Sequence, residues 1–345
     1  MVRRAGPAAG RAEEKASELQ KVPIVVIGAG EHGRRHAHAF QTVPGAELMG
    51  VYDQKQERAH ALAAELGAKA FPSLEAALEA AQAVSIVIPT TDHATVARQA
   101  LERGVDVLVE KPITRTVEEA ASLIEIADRA GRILQVGHLE RFNPGVVAAK
   151  AVTHQPLFFE IHRLGVFSPR SLDVDVVFDL MIHDLDLVLW MVGAEVRDVR
   201  AVGLPVLSNK VDIANARVEF ENGAVANLTA SRVSTEKVRK FRYFQPHEYI
   251  SIDFSRRDAL LLRVDDAGNA PGIAFRKLEA QGAEPLQAEL EAFVESVRAR
   301  RAPLVGGREG RDALALAERV MFCIEEHAGR VHVPLSRSAG HSGEL

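Results

Sequence analysis

The spacing of apolar residues changes once along this chain, near residue 138. Up to that point, short β-branched runs alternate with amphipathic stretches of about ten to fifteen residues, a length typical of helices between strands. The apolar runs that predict strands are PIVVIG, ELMGVYD, AVSIVIPT, VDVLVE and RILQVG. Strands that alternate with helices in this way predict a parallel, doubly wound sheet.

Beyond residue 138, short strands follow one another with turn signals between them, such as Glu221-Asn222-Gly223. A succession of this kind predicts an open, mostly antiparallel sheet, and so an α/β fold with two different sheets. The strand segments are FFEIHRLG, VRDVRAVG, DIANARVEF, AVANLTAS, FRYFQP, EYISIDF and ALLLRV. An apolar helix, DLMIHDLDLVLWMVG, is expected between the first two segments, and two amphipathic helices are expected near the end of the chain, at LQAELEAFVESVRARR and GRDALALAERVMFCIEEHAG.

Composition places the chain among ordinary globular proteins and argues against several functional classes. Hydrophobic residues make up 47% and charged residues 26% of the 345 residues, which suits two domains with cores of their own. A formal net charge of −5 argues against nucleic acid as a partner. The single cysteine and the lack of an apolar run long enough to span a membrane indicate a cytoplasmic protein without internal disulfides and without a membrane partner.

A glycine-rich turn, GAGEHG, follows the first predicted strand and opens a predicted helix. This is the context that the dinucleotide-binding pattern G-x-G-x-x-G requires. Gly28 would permit the tight turn, Gly30 would let the backbone approach a pyrophosphate at the helix N-terminus, and Gly33 would let the helix pack closely on the strand. We therefore predict a Rossmann domain, and we count Glu31 and His32 of the same turn among its cofactor-binding residues. A glycine-rich turn of some other α/β protein is the alternative.

Asp53 ends the second predicted strand, twenty residues after Gly33. A carboxylate at this place accepts hydrogen bonds from the adenosine ribose and repels a 2′-phosphate. We therefore expect NAD as the cofactor in preference to NADP, although Gln54 and Lys55 follow directly and weaken that preference.

Two further polar motifs lie at places where a ligand could reach them. Glu110-Lys111-Pro112 ends the fourth predicted strand, and the carboxyl ends of parallel strands face the ligand crevice. Lys111 could meet both the nicotinamide ribose and the substrate there, and a cis peptide bond to Pro112 is possible. In the apolar helix, Asp179 and His183 are spaced i, i+4, so a helix places them on one face. Taken alone, the first motif is also a common surface turn.

These residue types suit the oxidation of an alcohol. A neutral imidazole at His183 could remove the hydroxyl proton as a hydride leaves the carbon, and Asp179 could orient the ring or bind a substrate hydroxyl. Lys111 could stabilise the developing alkoxide or act as the base itself, and the sequence does not decide which of the two residues takes the proton. Asp184 and Asp186 are expected to be structural, on a solvated face or in helix–loop hydrogen bonds. No clustered ligands accompany His183, so we expect no metal.

Taken together, G-x-G-x-x-G, the later Glu-Lys-Pro and the motif D-x-x-x-H-D resemble the Gfo/Idh/MocA family (glucose–fructose oxidoreductase, inositol dehydrogenase, rhizopine catabolism) over about Pro23 to Leu335. The resemblance implies an N-terminal Rossmann domain, a C-terminal α/β domain with an open sheet, and oxidation or reduction of a sugar-like alcohol with NAD(P). It also implies Lys111 and His183 as the catalytic pair, Asp179 as the third polar residue, and a homodimer or homotetramer that pairs through the open sheet.

The resemblance divides the chain and assigns further residues to the cofactor. We expect a disordered extension at 1–20, an NAD-binding Rossmann domain at 21–138, a substrate and oligomerisation domain at 139–335 and a tail at 336–345. His138 ends the fifth predicted strand on the ligand side and is expected near the nicotinamide. A helix cap by Thr91 or Asp92 is the alternative for the residues after the third strand. The other cofactor residues expected at strand ends are Pro89, Thr90, His93, Glu110 and Lys111.

The segment GHLERFNP, together with DLMIHDLD, resembles the branch of the family that oxidises UDP-N-acetylglucosamine, or its uronate, at C3. Arg141, Arg163 and Arg170 could then pair with the diphosphate, because a guanidinium group makes forked contacts with phosphate oxygens. Asn143 could bind a sugar hydroxyl or the acetamido group. A surface ion pair is the alternative for each arginine. A dehydrogenase of free sugars or inositols, and a non-catalytic NAD-binding regulator on the same fold, remain as other functions.

Overall fold

Six parallel strands form the sheet of the first of two units in the computed structural model, which describes residues 21–167, 174–265, 272–280 and 282–335. The strands are β1 (Val22–Ile27), β2 (Ala46–Tyr52), β3 (Lys69–Ala70), β4 (Ala83–Ile86), β5 (Asp106–Glu110) and β6 (Leu134–Gly137). They lie in the order β3-β2-β1-β4-β5-β6. Because the order reverses beside β1, the carboxyl ends of β1 and β4 flank the crevice in which doubly wound sheets bind ligands.

The helices along this part of the chain are α1 (Glu31–Phe40), α2 (Gln56–Leu66), α3 (Leu74–Glu79), α4 (Thr90–Glu102) and α5 (Val117–Ala130). A further helix of the first unit, α8 (Pro285–Ala299), comes from near the end of the chain. It buries Leu290, Phe293 and Val297 in the same apolar cluster as Val22 and Ile24 of β1. The core of the nucleotide-binding sheet is therefore completed by a distant segment.

Two short elements of the first unit are not predicted by the sequence pattern. Strand β3 has two residues, and α3 has six. The hydroxyl of Ser73 accepts a hydrogen bond from the backbone N–H of Ala76 at 3.2 Å and so caps α3. Elements this short leave too few residues for a periodic apolar signal.

Eight strands form the sheet of the second unit and confirm the predicted combination of a Rossmann sheet with a mostly antiparallel one. They are β7 (Phe158–Leu164), β8 (Val196–Leu204), β9 (Ile213–Phe220), β10 (Val225–Ser231), β11 (Val238–Gln245), β12 (Glu248–Asp253), β13 (Asp258–Asp265) and β14 (Gly272–Leu278). Their order is β14-β13-β12-β11-β7-β10-β9-β8. Only β7 and β10 run in parallel, and the sequence pattern does not predict β14.

One face of this second sheet is covered by helices. Along β7 and β11, alternate side chains enter the core, as strand geometry requires, and they include Phe159 and Phe241. The helices of the second unit are α6 (Pro144–Lys150), α7 (Ile182–Val192) and α9 (Gly307–Arg330). Residues of α7 and α9, such as Leu185 and Val320, belong to the same buried cluster.

The opposite face, which we call the open face, carries a row of apolar side chains that runs across neighbouring strands. The register pairs Phe158 with Phe244, Phe244 with Tyr249, Tyr249 with Leu262 and Leu262 with Phe275. The Phe158 and Phe244 rings stack with centroids 5.7 Å apart, and Phe275 is 67% exposed. A continuous apolar row of this kind is typical of a surface that another protein covers.

The apolar segment predicted as one helix from Asp179 to Gly193 begins with a different geometry. Residues Val177–Met181 form a single π-helical turn, and α7 follows from Ile182. The helix ends at Gly193, whose φ of +62° is a conformation that glycine adopts without strain. Because a π turn holds one more residue than an α turn, the angular relation of Asp179 to His183 differs from that of a regular helix.

The two units divide the chain at places that differ in part from the domains expected from the sequence. The first unit takes residues up to Glu110, Ser122–Gly137 and Leu286–Gly306. The second takes Lys111–Ala121, His138–Pro285 and the chain from Gly307 onward. Helix α8 thus belongs to the first unit, whereas the sequence assigned it to 139–335. The expected extension at 1–20, the tail at 336–345 and Arg170 lie outside the described residues. Within the described part of the chain, no helix combines the length and apolarity of a membrane span.

Candidate active site

The glycine turn after β1 has the geometry that each of its glycines requires. Gly28 has a φ of +108°, and a Cβ there would lie 2.2 Å from the carbonyl oxygen of Val87. A Cβ at Gly33 would lie 1.8 Å from the carbonyl oxygen of Gly28, so α1 packs on β1 only with glycine. At Gly30, by contrast, no atom lies within 4 Å of the Cβ position. This open space borders the N-terminus of α1, which no side chain caps, and it suits a pyrophosphate.

Asp53 lies against the same turn. One carboxylate oxygen accepts a hydrogen bond from the backbone N–H of Ala29 at 2.7 Å, and the other accepts one from the backbone N–H of Lys55 at 2.8 Å. The acid therefore ties the end of β2 to the turn, at the place where the sequence predicts ribose binding. Glu31 and His32 are exposed on the first turn of α1, and Glu31 forms an ion pair of 2.8 Å with Arg35.

The residues after β4 mark the start of α4 at Thr90, with Pro89 as the residue that precedes it. No side chain caps this helix, so the alternative of a cap by Thr91 or Asp92 is not observed. The ring of His93 is buried, and its Nε2 lies 2.9 Å from the carbonyl oxygen of Ile88. His93 thus fixes the loop that follows β4.

A buried polar network lies within the first unit at the end of β5. The Nδ1 of His36 lies 2.9 Å from the hydroxyl of Ser85, and its Nε2 lies 3.2 Å from the carboxylate of Glu110. Glu289 of α8 is 0% exposed, and neither of its carboxyl oxygens has a hydrogen-bond partner among the described residues. Burial first, and then the charge of Glu110, raise the pKa of Glu289 well above its ordinary value. Glu289 is therefore a neutral acid in the folded protein.

Sequence reasoning missed Glu289, although one signal could have found it. The residue lies four positions before Phe293 and so falls on the apolar face of α8. A carboxyl group on such a face is uncommon, because burying its charged form costs free energy.

We expect Glu289→Gln to stabilise the protein at about pH 8 by more than at about pH 5. The folded wild type must keep a proton on Glu289 above the ordinary pKa of 4.5, where the unfolded chain has lost it, so stability falls as the pH rises. Glutamine is neutral and removes this dependence, which amounts to at most about 1.4 kcal/mol per pH unit. Thermal unfolding at both pH values measures the difference, with the exposed Glu295→Gln on the same helix as control. An equal gain at both pH values would contradict a protonated Glu289.

In the second unit, the ammonium group of Lys111 contacts Asp179. The Nζ of Lys111 donates a hydrogen bond to the backbone carbonyl of Asp179 at 2.7 Å and lies 3.6 Å from its carboxylate. The Lys111–Pro112 peptide bond is cis. The ammonium group of Lys111 and Asp179 therefore lie together, although the two motifs are 68 residues apart in the chain.

His183 lies beside this pair at the start of α7. Its Nδ1 is buried and has no hydrogen-bond partner among the described residues. Its ring meets the ring of His138 edge-on, with centroids 6.4 Å apart, and His138 is itself buried. Burial first, and then the positive charge of Lys111, lower the pKa of His183 well below 6.5. His183 is therefore a neutral imidazole, the form that accepts a proton.

The arginines expected near a diphosphate are engaged with carboxylates of α7. Arg141, 3% exposed, makes a forked ion pair with Asp186 at 2.6 and 2.8 Å. Arg163, 4% exposed, makes the same contact with Asp184 at 2.7 and 2.8 Å and a further one with Glu140 at 2.9 Å. Such pairs leave few donors for a ligand. The ion pairs therefore do not support direct phosphate contacts by either arginine. Asp184 and Asp186 have a structural role, as the sequence predicts, but they are buried and not on a solvated face.

Asn143 has a local structural role. Its side-chain oxygen accepts a hydrogen bond from the backbone N–H of Gly145 at 3.0 Å and caps α6. The residue is buried, so the expected contact of Asn143 with a sugar hydroxyl is not supported. No cluster of three metal-ligating side chains occurs in the part of the chain that the structure describes. Of the residues that the sequence predicts for the site, Lys111, Asp179 and His183 thus remain as candidates in the second unit.

Comparison with known proteins covers both sets of residues. A family model described as an oxidoreductase family with an NAD-binding Rossmann fold (Gfo/Idh/MocA) matches residues 22–138. A model of the Gfo/Idh/MocA C-terminal domain matches residues 146–244. The first model covers the glycine turn, Asp53 and Glu110, and the second covers Asp179 and His183.

Individual relatives extend the match to most of the chain. The UDP-N-acetylglucosamine 3-dehydrogenase of Acidithiobacillus ferrooxidans is 43% identical over 304 residues, which cover 87% of this chain and 96% of that protein. Its solved structure superposes with a TM-score of 0.84 at 40% identity, over 89% of this chain and 99% of that chain. The scyllo-inositol 2-dehydrogenase (NAD(+)) of Bacillus subtilis is 32% identical over 62% of this chain and 68% of that protein.

A levoglucosan dehydrogenase in complex with NADH has a TM-score of 0.82, over 89% of this chain and 98% of that chain, at 19% identity, which is a likeness of fold. Two family models and a relative matched across almost its whole length lead to one conclusion. The chain belongs to the Gfo/Idh/MocA family of oxidoreductases and contains its NAD-binding Rossmann domain.

Proposed function

We propose that this protein oxidises the C3 hydroxyl of a UDP-N-acetylhexosamine with NAD and yields a 3-keto nucleotide sugar. The observation that carries the proposal is the similarity to the Acidithiobacillus ferrooxidans UDP-N-acetylglucosamine 3-dehydrogenase over 87% of this chain. Alcohol oxidation needs a group that takes the hydroxyl proton and a cation that stabilises the alkoxide. The neutral imidazole of His183 and the ammonium group of Lys111, which lies beside the Asp179 carboxylate, suit these two tasks. A ketone beside the acetamido carbon suits a following transamination, so an aminotransferase is the class of enzyme that would consume this product.

His183 takes the hydroxyl proton in this mechanism. Its imidazole is neutral and its buried Nδ1 is not engaged by any described residue. Lys111, held by Asp179, presents a positive charge that stabilises the developing alkoxide. NAD, when bound at the glycine turn and Asp53, supplies the acceptor for the hydride. The sequence left Lys111 and His183 as alternative bases, and the depressed pKa of the imidazole favours His183.

We also propose a homodimer or homotetramer that pairs through the open face of the second sheet. The cross-strand row that includes Phe158, Phe244 and Phe275 supports this, because monomers rarely leave such a row uncovered. A monomer in light scattering at micromolar concentration would contradict it. The single cysteine fits a reducing compartment, and we place the enzyme in the cytoplasm as part of the same proposal.

A dehydrogenase of free sugars or inositols is the second candidate, and the similarity to the Bacillus subtilis scyllo-inositol 2-dehydrogenase favours it. A non-catalytic NAD-binding regulator is the candidate from another class. The joint presence of Lys111, Asp179 and His183 argues against a regulator, because binding NAD alone needs neither Asp179 nor His183.

A panel of UDP-sugars and free sugars with NAD, followed by NADH absorbance, tests these candidates. We expect UDP-N-acetylglucosamine or its uronate to give a higher kcat/KM than free glucose, N-acetylglucosamine or inositols. A free sugar or inositol that outperforms every UDP-sugar would overturn the nucleotide-sugar proposal. Bound NADH without turnover on any sugar would favour the regulator.

A further inference from the structure

Arg239 lies on β11, directly across from Arg163 of β7. Side chains two residues apart on a strand share a face, so Arg239 lies on the same side of the sheet as the buried Phe241. This is the side that α7 covers, and it is opposite to the open face. Arg239 therefore belongs to the same layer as the candidate catalytic residues.

The arginines near the candidate catalytic residues differ in the groups that their side chains contact. Arg141 and Arg163 make forked contacts with Asp186 and Asp184. Arg239 is half-buried, but its guanidinium group makes no hydrogen bond or ion pair with any described residue. Burial first, and then the like charge of Arg163, lower its pKa. A guanidinium group in this setting is stabilised when an anion approaches it, because burial reduces its contact with solvent and no described carboxylate accepts its hydrogen bonds.

Arg239 is also close enough to the candidate catalytic residues to affect their charge. Its guanidinium group contributes to the low pKa of His183, and the carboxylate of Asp179 acts in turn on Arg239. In a nucleotide sugar, the diphosphate is attached to C1, two carbons from C3. A cation close to the base that acts at C3 is therefore within reach of the diphosphate.

We propose that Arg239 binds the diphosphate of the nucleotide sugar through forked hydrogen bonds to its oxygens. This inference rests on the proposed function, since it assumes that the sugar carries a diphosphate. It assigns to Arg239 the contact that the sequence alone suggested for Arg141 and Arg163, whose donors are occupied by carboxylates.

Calorimetric titration of the full-length protein with UDP, and separately with uridine, tests the proposal. We expect Arg239→Gln to weaken the binding of UDP by about 10- to 100-fold and to leave the binding of uridine unchanged. Arg239→Lys keeps the charge but loses the fork, so it should fall between wild type and Arg239→Gln. Arg330→Gln is the control, because Arg330 is exposed at the end of α9 in the same unit and lies away from both faces of the sheet's central strands.

The readouts separate this inference from the proposed function and from a folding defect. In steady-state assays with UDP-N-acetylglucosamine, Arg239→Gln should raise KM by the same factor and change kcat by much less. Wild-type affinity for UDP in Arg239→Gln, an equal loss in Arg330→Gln, or an equal loss of uridine binding would each overturn the inference. If Arg239→Gln unfolds, Arg239→Lys replaces it in the test, provided that its thermal unfolding midpoint is that of the wild type. Failure of the wild type to oxidise any UDP-sugar would instead refute the proposed function, whatever Arg239 does to UDP binding.

Discussion

His183→Asn is expected to lower kcat by about 10²- to 10⁴-fold, the usual contribution of a general base. Asparagine keeps a polar side chain of related size but cannot accept the hydroxyl proton. NADH binding should be unchanged, because the glycine turn and Asp53 lie in the first unit. Single-turnover rates with the best substrate of the panel and a fluorescence titration with NADH measure the two effects. His154→Asn, an exposed histidine elsewhere in the second unit, serves as the control.

The pH profile gives the same prediction a second test. Because the pKa of His183 lies well below 6.5, wild-type kcat/KM should stay level as the pH falls through 6.5 and decline only at lower pH. The folded state also loses stability on the acid side, since the unfolded histidine binds a proton there and the folded one does not. A midpoint at or above 6.5 would contradict a neutral His183. A rate that rises through the alkaline range would make Lys111 the base.

Gly30→Ala is expected to weaken NADH binding by about 10- to 100-fold while the protein folds normally. The φ of −75° at Gly30 suits alanine, and no atom lies within 4 Å of the new methyl group. The methyl group would instead occupy the space where a pyrophosphate approaches the free N–H groups of α1. Thermal unfolding should change by less than about 0.5 kcal/mol, and a fluorescence titration with NADH gives the affinity.

Gly28→Ala is the matched comparison, because it affects the fold and the cofactor together. Its φ of +108° and the clash with Val87 should cost at least about 1–3 kcal/mol of stability. If Gly30→Ala bound NADH as tightly as the wild type, the open space beside α1 would not be the pyrophosphate site. If it unfolded as readily as Gly28→Ala, the space would have a structural role.

Most of the site features that the sequence predicts are local motifs. The glycine turn, the Glu-Lys-Pro segment and the polar start of the apolar helix depend on residues close together in the chain, and pattern and chemistry were enough to find them. The same segment made a cis Lys111–Pro112 bond possible, and the structure contains it. The π turn at Val177–Met181 was not, because a single widened turn leaves no periodic signal.

Partners across the fold could not be predicted in this way. Whether an arginine binds a ligand or a carboxylate depends on strand register and helix placement, which bring Asp186 to Arg141 and Asp184 to Arg163. The same limit applies to Arg239. The alternation of buried and exposed side chains along β11 places Arg239 on the same face as Phe241, but the sequence does not show that no carboxylate pairs with its guanidinium group. The sequence therefore identifies candidate functional residues more readily than it assigns a partner or a role to each of them.

The position of α8 has a consequence for how the protein is made. The ribosome synthesises β1 to β6 first, yet Leu290, Phe293 and Val297 of α8 leave it only after the strands of both sheets. Until then the nascent nucleotide-binding sheet exposes apolar surface on Val22 and Ile24, which chaperones would recognise. A stop codon before residue 285 would deprive the first unit of α8 and the second of α9, so premature termination cannot release an intact NAD-binding domain.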